Sequence, residues 1–193
     1  MKKSVLNALA LIVLAVFVIS GCNTHKQPGN ADGSYSKVFY SNMDNPDSLA
    51  ALAPSVWKNM KTLVETSAYS GKYCSKIDTV NIFSFLYENS FNQIEGVTPK
   101  QVLVSAYGYA IQPNTKARLV VSVSGDKYYK AIVADSLFVT PGEWKEIKGT
   151  FNLPTELGIY DVVKAYVFND KTGELLVDNL RVEFIYPKRS NNF

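Results

Sequence analysis

The residues of this chain best suited to chemistry are tyrosines interleaved with small and cationic side chains on strand-like segments. In "QVLVSAYGYA", Leu103, Ser105, Tyr107 and Tyr109 fall on one face, and Val102, Val104, Ala106 and Gly108 on the other. In "ARLVVSVS", Arg118, Val120 and Ser122 oppose Leu119, Val121 and Val123. In "DVVKAYVF", Lys164, Tyr166 and Phe168 oppose Val163, Ala165 and Val167. The aliphatic set in each segment reads as core. If the three strands are neighbours, the other set forms one surface carrying rings beside donors. That chemistry suits a sugar, whose apolar ring face stacks on an aromatic while fixed polar groups bind its hydroxyls. Tyr107, Tyr109 and Tyr166 are the candidate platforms, with Arg118 and Lys164 as donors. The same face could instead meet a protein partner, since Tyr and Phe also cover sheets that bind nothing.

A second feature is Asp178 in "ELLVDNLRVEF". Strict alternation places it on the face of Leu176, Leu180, Val182 and Phe184. A buried carboxylate there needs backbone N–H donors or a cation as partner.

Catalytic devices are poorly supplied. The single histidine, His25, lies in the polar stretch "NTHKQPGNADGSYS", so neither a Ser-His-Asp nor a Cys-His arrangement has its base within a folded segment. There is no His/Cys cluster for zinc. The E-x-D-x-x-E strand that would set two carboxylates about a glycosidic bond is also absent. The chain is therefore expected not to be an enzyme.

These residues must be positioned by strands. The chain has 12 Tyr and 10 Phe, and from Lys37 onward it runs as short β-type segments with turn punctuation such as Ser70-Gly71, "QPNTK", "GDK", Pro141-Gly142 and "NDKTG". About nine or ten strands, with one helical turn near Ser48 to Leu52, predict an all-β fold: a two-sheet antiparallel sandwich over residues 37–187.

The N-terminus has a different design. Lys2 and Lys3 precede an apolar run from Val5 to Ile19, too short to span a bilayer. It ends in Ile19-Ser20-Gly21-Cys22, an aliphatic residue, two small residues and a cysteine. This reads as a lipoprotein signal peptide over residues 1–21, with Cys22 as the acylated residue and a flexible tether over 22–36. Asn23, rather than Asp, after the cysteine favours the outer membrane, with the side of that membrane left open. Loss of Lys2 and Lys3 takes the formal charge from +3 to +1, which supports no nucleic-acid partner. Cys74 is then left alone and reads as a small buried residue. Residues 188–193 read as a frayed tail.

The order of the pieces resembles the galactose-binding-like jelly roll of non-catalytic carbohydrate-binding modules of the family 4, 9 and 22 type. The segments that carry the resemblance are "FYSNMD", "AYSGKYCSKI", "VLVSAYGY", "EWKEIKGTFNLP" and "KAYVFNDKTGELLVDNLRV". It implies polysaccharide binding, with Tyr107 standing where such modules carry Trp. It also implies a structural calcium held by Asp44, backbone carbonyls near Lys72, and Asp178; oxygen-only ligands of this kind suit calcium.

Overall fold

A computed structural model of the chain describes residues 33–52 and 56–188. The signal peptide at 1–21, Cys22, most of the tether and all but Lys188 of the C-terminal tail lie outside the described residues.

Alternating sequences make the strands, and non-local pairing sorts them into two antiparallel sheets. The first sheet has six strands. Its central path runs β3 (Leu63–Glu65), β4 (Tyr73–Ile77), β11 (Leu175–Tyr186), β6 (Gln101–Ala110) and β9 (Trp144–Asn152). β1 (Tyr35–Ser41) pairs β11 beyond β4, with Tyr35 opposite Tyr186 and Ser41 opposite Leu180. The second sheet has five strands in the order β2 (Trp57–Lys58), β5 (Leu86–Ser90), β10 (Val162–Asn169), β7 (Ala117–Val123) and β8 (Tyr128–Val133). Two short helices, α1 (Pro46–Leu52) and α2 (Phe91–Ile94), sit in connections. The expected all-β sandwich is observed. β1 opens at Tyr35, two residues before the expected domain start, because Tyr35 and Ser36 already pair with β11.

Between the sheets lies a core in which Phe85, Phe91, Phe151 and Phe184 are all at most 1% exposed. Each fully buried ring of this size stabilises the fold by roughly 1.5–3 kcal/mol. The aliphatic sets foreseen on β6, β7 and β10 face this core. Gly108 belongs to that face for a steric reason. A Cβ there would lie 2.7 Å from Phe138 Cζ.

β11 departs from simple alternation. Asp178 stands opposite Tyr107 and Arg181 opposite Ser105, so the strand carries an extra residue between them. Asn179 takes φ of 54° in this bulge, a conformation Asn tolerates better than most residues. The bulge switches the strand's faces. Leu175, Val177, Leu180, Val182 and Phe184 all join the core. Leu176 and Asp178 instead lie on the outer side, in the rows of Tyr109 and Tyr107. The expectation that Asp178 shares a face with Leu180 is thus overturned by one residue in the left-handed region.

Candidate functional site

The five candidate binding residues do not share a face. Tyr107 and Tyr109 are on β6 of the six-stranded sheet, whereas Arg118, Lys164 and Tyr166 are on β7 and β10 of the five-stranded one. Both sets point away from the shared core, on opposite sides of the sandwich. The strands that carry them are not neighbours, so the single surface expected from the sequence is two surfaces.

On the five-stranded sheet, register brings the outward residues into rows. Phe168 stands opposite Arg118, Tyr166 opposite Val120 and Lys164 opposite Ser122. Lys164 also stands opposite Glu88. Phe83 bridges to Phe168 from outside the named strands. Its ring packs edge-on against Tyr166 at 5.5 Å and tilted against Phe168 at 5.5 Å. Val120 is fully buried although it belongs to the outward set. Arg118 Nη2 meets Asp170 Oδ2 at 2.9 Å, and Lys164 Nζ meets Glu88 Oε2 at 2.8 Å. Both cations are thus paired and held in place at either end of the row of rings. Burial, then the neighbouring Tyr129, raises the Tyr166 phenol above its ordinary value.

On the opposite surface the rings form a second cluster. Tyr69, in the turn between β3 and β4, stacks on Tyr107 at 3.7 Å and 10°. It also meets the Trp144 edge at 5.9 Å, and Trp144 leans on Tyr109 at 5.5 Å. Tyr69 escaped the sequence reading because it sits in a turn with no alternation to mark it. Phe83 was missed because it stands outside the three alternating segments, and only its bridge to Phe168 brings it onto that face.

The turn bearing Tyr69 is held by two carboxylates. Asp178, with no exposed surface, accepts the Ser70 N–H at Oδ2 (2.9 Å) and the Asn179 N–H at Oδ1 (2.6 Å). Asp44 Oδ1 accepts the N–H groups of Lys72 (2.8 Å) and Tyr73 (3.2 Å). Gly71 has φ of 67°, and a Cβ there would fall 1.7 Å from Asp44 Oδ2, so the carboxylate occupies space only glycine leaves free. Burial, opposed by the donated N–H groups, raises the Asp178 carboxyl above its ordinary value, and the nearby Asp44 adds to the rise.

This geometry tests the expected calcium. Asp44 and Asp178 do meet at one turn, but that turn presents N–H groups to them. The Lys72 carbonyl is taken by the Thr66 N–H at 3.0 Å. Among the described residues no three His, Cys, Asp or Glu side chains gather as a metal site. Calcium needs six to eight oxygens, and the donor set here does not fit it. Lys72 contributes a donor to Asp44 rather than an acceptor to a cation.

No protein-family model matches the chain, and no curated protein matches it by sequence. Solved structures do match. The C-terminal family 22 carbohydrate-binding module of Clostridium thermocellum Xyn10B aligns over 85% of this chain and 100% of its own, with 13% identity and a TM-score of 0.52. The CBM22-2 xylan-binding domain of Paenibacillus barcinonensis Xyn10C aligns over 76% and 98%, with 12% identity and a TM-score of 0.50. The chain has the jelly-roll fold of a carbohydrate-binding module. It spans 26% of a longer Clostridium thermocellum xylanase chain that joins such a module to a GH10 module. In this carbohydrate-binding-module fold the two ring clusters occupy the outer faces of the two sheets, and the carboxylate pair lies beside only one of them.

Proposed function

We propose that this protein is a lipid-anchored outer-membrane lipoprotein whose jelly roll binds a neutral polysaccharide without cleaving it. The observation that carries the binding reading is the outer face of the five-stranded sheet. There Phe83, Tyr166 and Phe168 form one contiguous aromatic surface, with Arg118 and Lys164 fixed at its two ends. Rings offer stacking surface to pyranose faces, and ion-paired cations are pre-positioned donors for hydroxyls. Because each cation already has its counter-ion, the face carries little net charge to favour an acidic glycan. The fold likeness to xylan-binding modules supports the same reading. The anchor reading rests on Ile19-Ser20-Gly21-Cys22.

Affinity electrophoresis in gels containing xylan, β-glucan, mannan or pectin tests the binding. Retardation by a neutral polysaccharide, weakened in Tyr166→Ala and Phe83→Ala and without release of reducing ends, is expected. Unretarded migration in every gel would overturn the reading. Metabolic labelling with a palmitate analogue, lost in Cys22→Ser, tests the anchor.

A further inference from the structure

The opposite surface carries a cleft that the binding face does not use. Its floor is one row across three strands: Leu176 of β11 stands opposite Tyr109 of β6, which stands opposite Trp144 of β9. Thr66 and Ser67 of the β3–β4 connection form one wall, and Pro141 with Gly142 the other. The cleft is open to solvent and has a volume of about 410 Å³, within the range of small-ligand sites, roughly 300–1,000 Å³. The walls are fixed in place. The Gly142 N–H donates to the Ala110 carbonyl at 3.1 Å, which ties the Pro141-Gly142 turn to β6. The other wall belongs to the same β3–β4 connection that Asp44 and Asp178 hold through Ser70, Lys72 and Tyr73.

The lining chemistry selects a ligand. Every residue lining the cleft is uncharged. The neighbouring lysines are paired with carboxylates, Lys145 with Glu143, Lys148 with Glu146 and Lys76 with Glu174. What remains is two aromatic rings, an aliphatic floor and the hydroxyls of Thr66 and Ser67. An ionic ligand would find no counter-charge, and a purely apolar one would leave those hydroxyls without partners. A neutral pyranose satisfies both halves, with a ring face for Trp144 or Tyr109 and hydroxyls for the wall. The stacked Tyr69–Tyr107 pair, one two-residue step along β6, about 7 Å away, extends the surface for a following sugar.

We propose that this cleft is a second, independent glycan site, and that one domain bridges two glycan chains from opposite faces. The bridging rests on the reading of the Tyr166 face given above; the cleft as a sugar site does not.

The test uses the chain from residue 23, with xylohexaose, cellohexaose, laminarihexaose and mannohexaose as probes. Trp57 is 3% exposed in the core, so a change in tryptophan emission on adding sugar reports chiefly on Trp144. Calorimetry should give two sites per chain. Trp144→Ala should lose one of them, with affinity there at least tenfold weaker, and leave the other. Thr66→Trp keeps the ring and fills the cleft from an exposed position, and it should do the same. Tyr166→Ala should lose only the other site. The intact chain should precipitate a soluble polysaccharide, and both single-site variants should not. Loss of one calorimetric site in Thr66→Trp, with the Tyr166→Ala titration unchanged from wild type, would uphold the cleft and sink the Tyr166 face. Unchanged stoichiometry and affinity in folded Trp144→Ala and Thr66→Trp, or no response to any of the four sugars, would overturn the second site.

Discussion

Asp178 Oδ2 accepts the Ser70 backbone N–H at 2.9 Å, joining residues 108 positions apart in the chain. That bond fixes the turn that carries Tyr69 onto Tyr107. A carboxylate that strict alternation would place in the core is therefore the mount of a surface aromatic cluster.

Asp178→Ala should be strongly destabilising for this reason. It leaves the Ser70 and Asn179 N–H groups without their acceptor in a partly buried setting, at about 1–3 kcal/mol for each unsatisfied group. Urea unfolding should show a loss of about 2–4 kcal/mol relative to wild type. An unchanged midpoint would mean that water replaces the carboxylate without cost.

Acidification should act on Asp178 in the opposite sense to most carboxylates. Its folded-state carboxyl is raised from 3.8 by burial and by Asp44. The contribution is therefore fully present below the ordinary value and is lost as pH rises through the raised one. Lowering the pH from neutral toward about 4 should stabilise wild type relative to Asp178→Asn. Asp161 works the other way. The Lys127 ammonium and the Gly158 N–H hold its carboxyl below the ordinary value. Its contribution is present above that value and falls away as pH drops through the lowered one. Melting temperatures of wild type, Asp178→Asn and Asp161→Asn across pH separate the two slopes.

Calcium should leave the fold untouched. With the Lys72 carbonyl bonded to Thr66 and both carboxylates accepting backbone N–H groups, the melt in EDTA should match the melt in millimolar calcium. A calcium-dependent rise of several degrees would restore the cation that the resemblance implies.

Cys74 should resist alkylation until the protein unfolds. It has no exposed surface, and burial, aided by the Asp178 charge, pushes its thiol up to about 12. Almost no thiolate, the reactive form, is then present near neutrality. In a Cys22→Ser background, iodoacetamide labelling should track the urea unfolding curve. Labelling at the rate of a free peptide thiol in native buffer would contradict the burial.

Much of the architecture was legible because period-2 alternation is a local property. Val102, Val104, Ala106 and Gly108 fall on the buried side of β6, and Val163, Ala165 and Val167 on that of β10, as their spacing implies. Which sheet each strand joins is not local. β6 pairs with β11 and β9, whereas β10 pairs with β7 and β5, so Tyr107 and Tyr166 look alike in sequence and end on opposite faces. The bulge at Asn179 was hidden for a related reason: one extra residue reverses every later side chain without altering composition. Trp144 follows the Pro141-Gly142 turn, and nothing in its spacing marks it as part of a site. Only the turn bearing Tyr69, folded back onto the sheet, makes it part of a cleft.

The course of β11 gives the molecule a direction. Its last residue, Tyr186, pairs with Tyr35, and a Cβ on Gly33 would lie 2.9 Å from Lys188, so both described ends of the chain meet at one pole. Its first residue, Leu175, pairs with Ala110, next to the cleft at Tyr109. The strand's twelve residues put these poles eleven steps apart, or roughly 35 Å at strand rise. The sandwich is a mast with its foot at Gly33. If the tether of residues 22–36 leads from that foot to a lipid, the Trp144 cleft is the masthead, at the far end of the domain from the point of attachment.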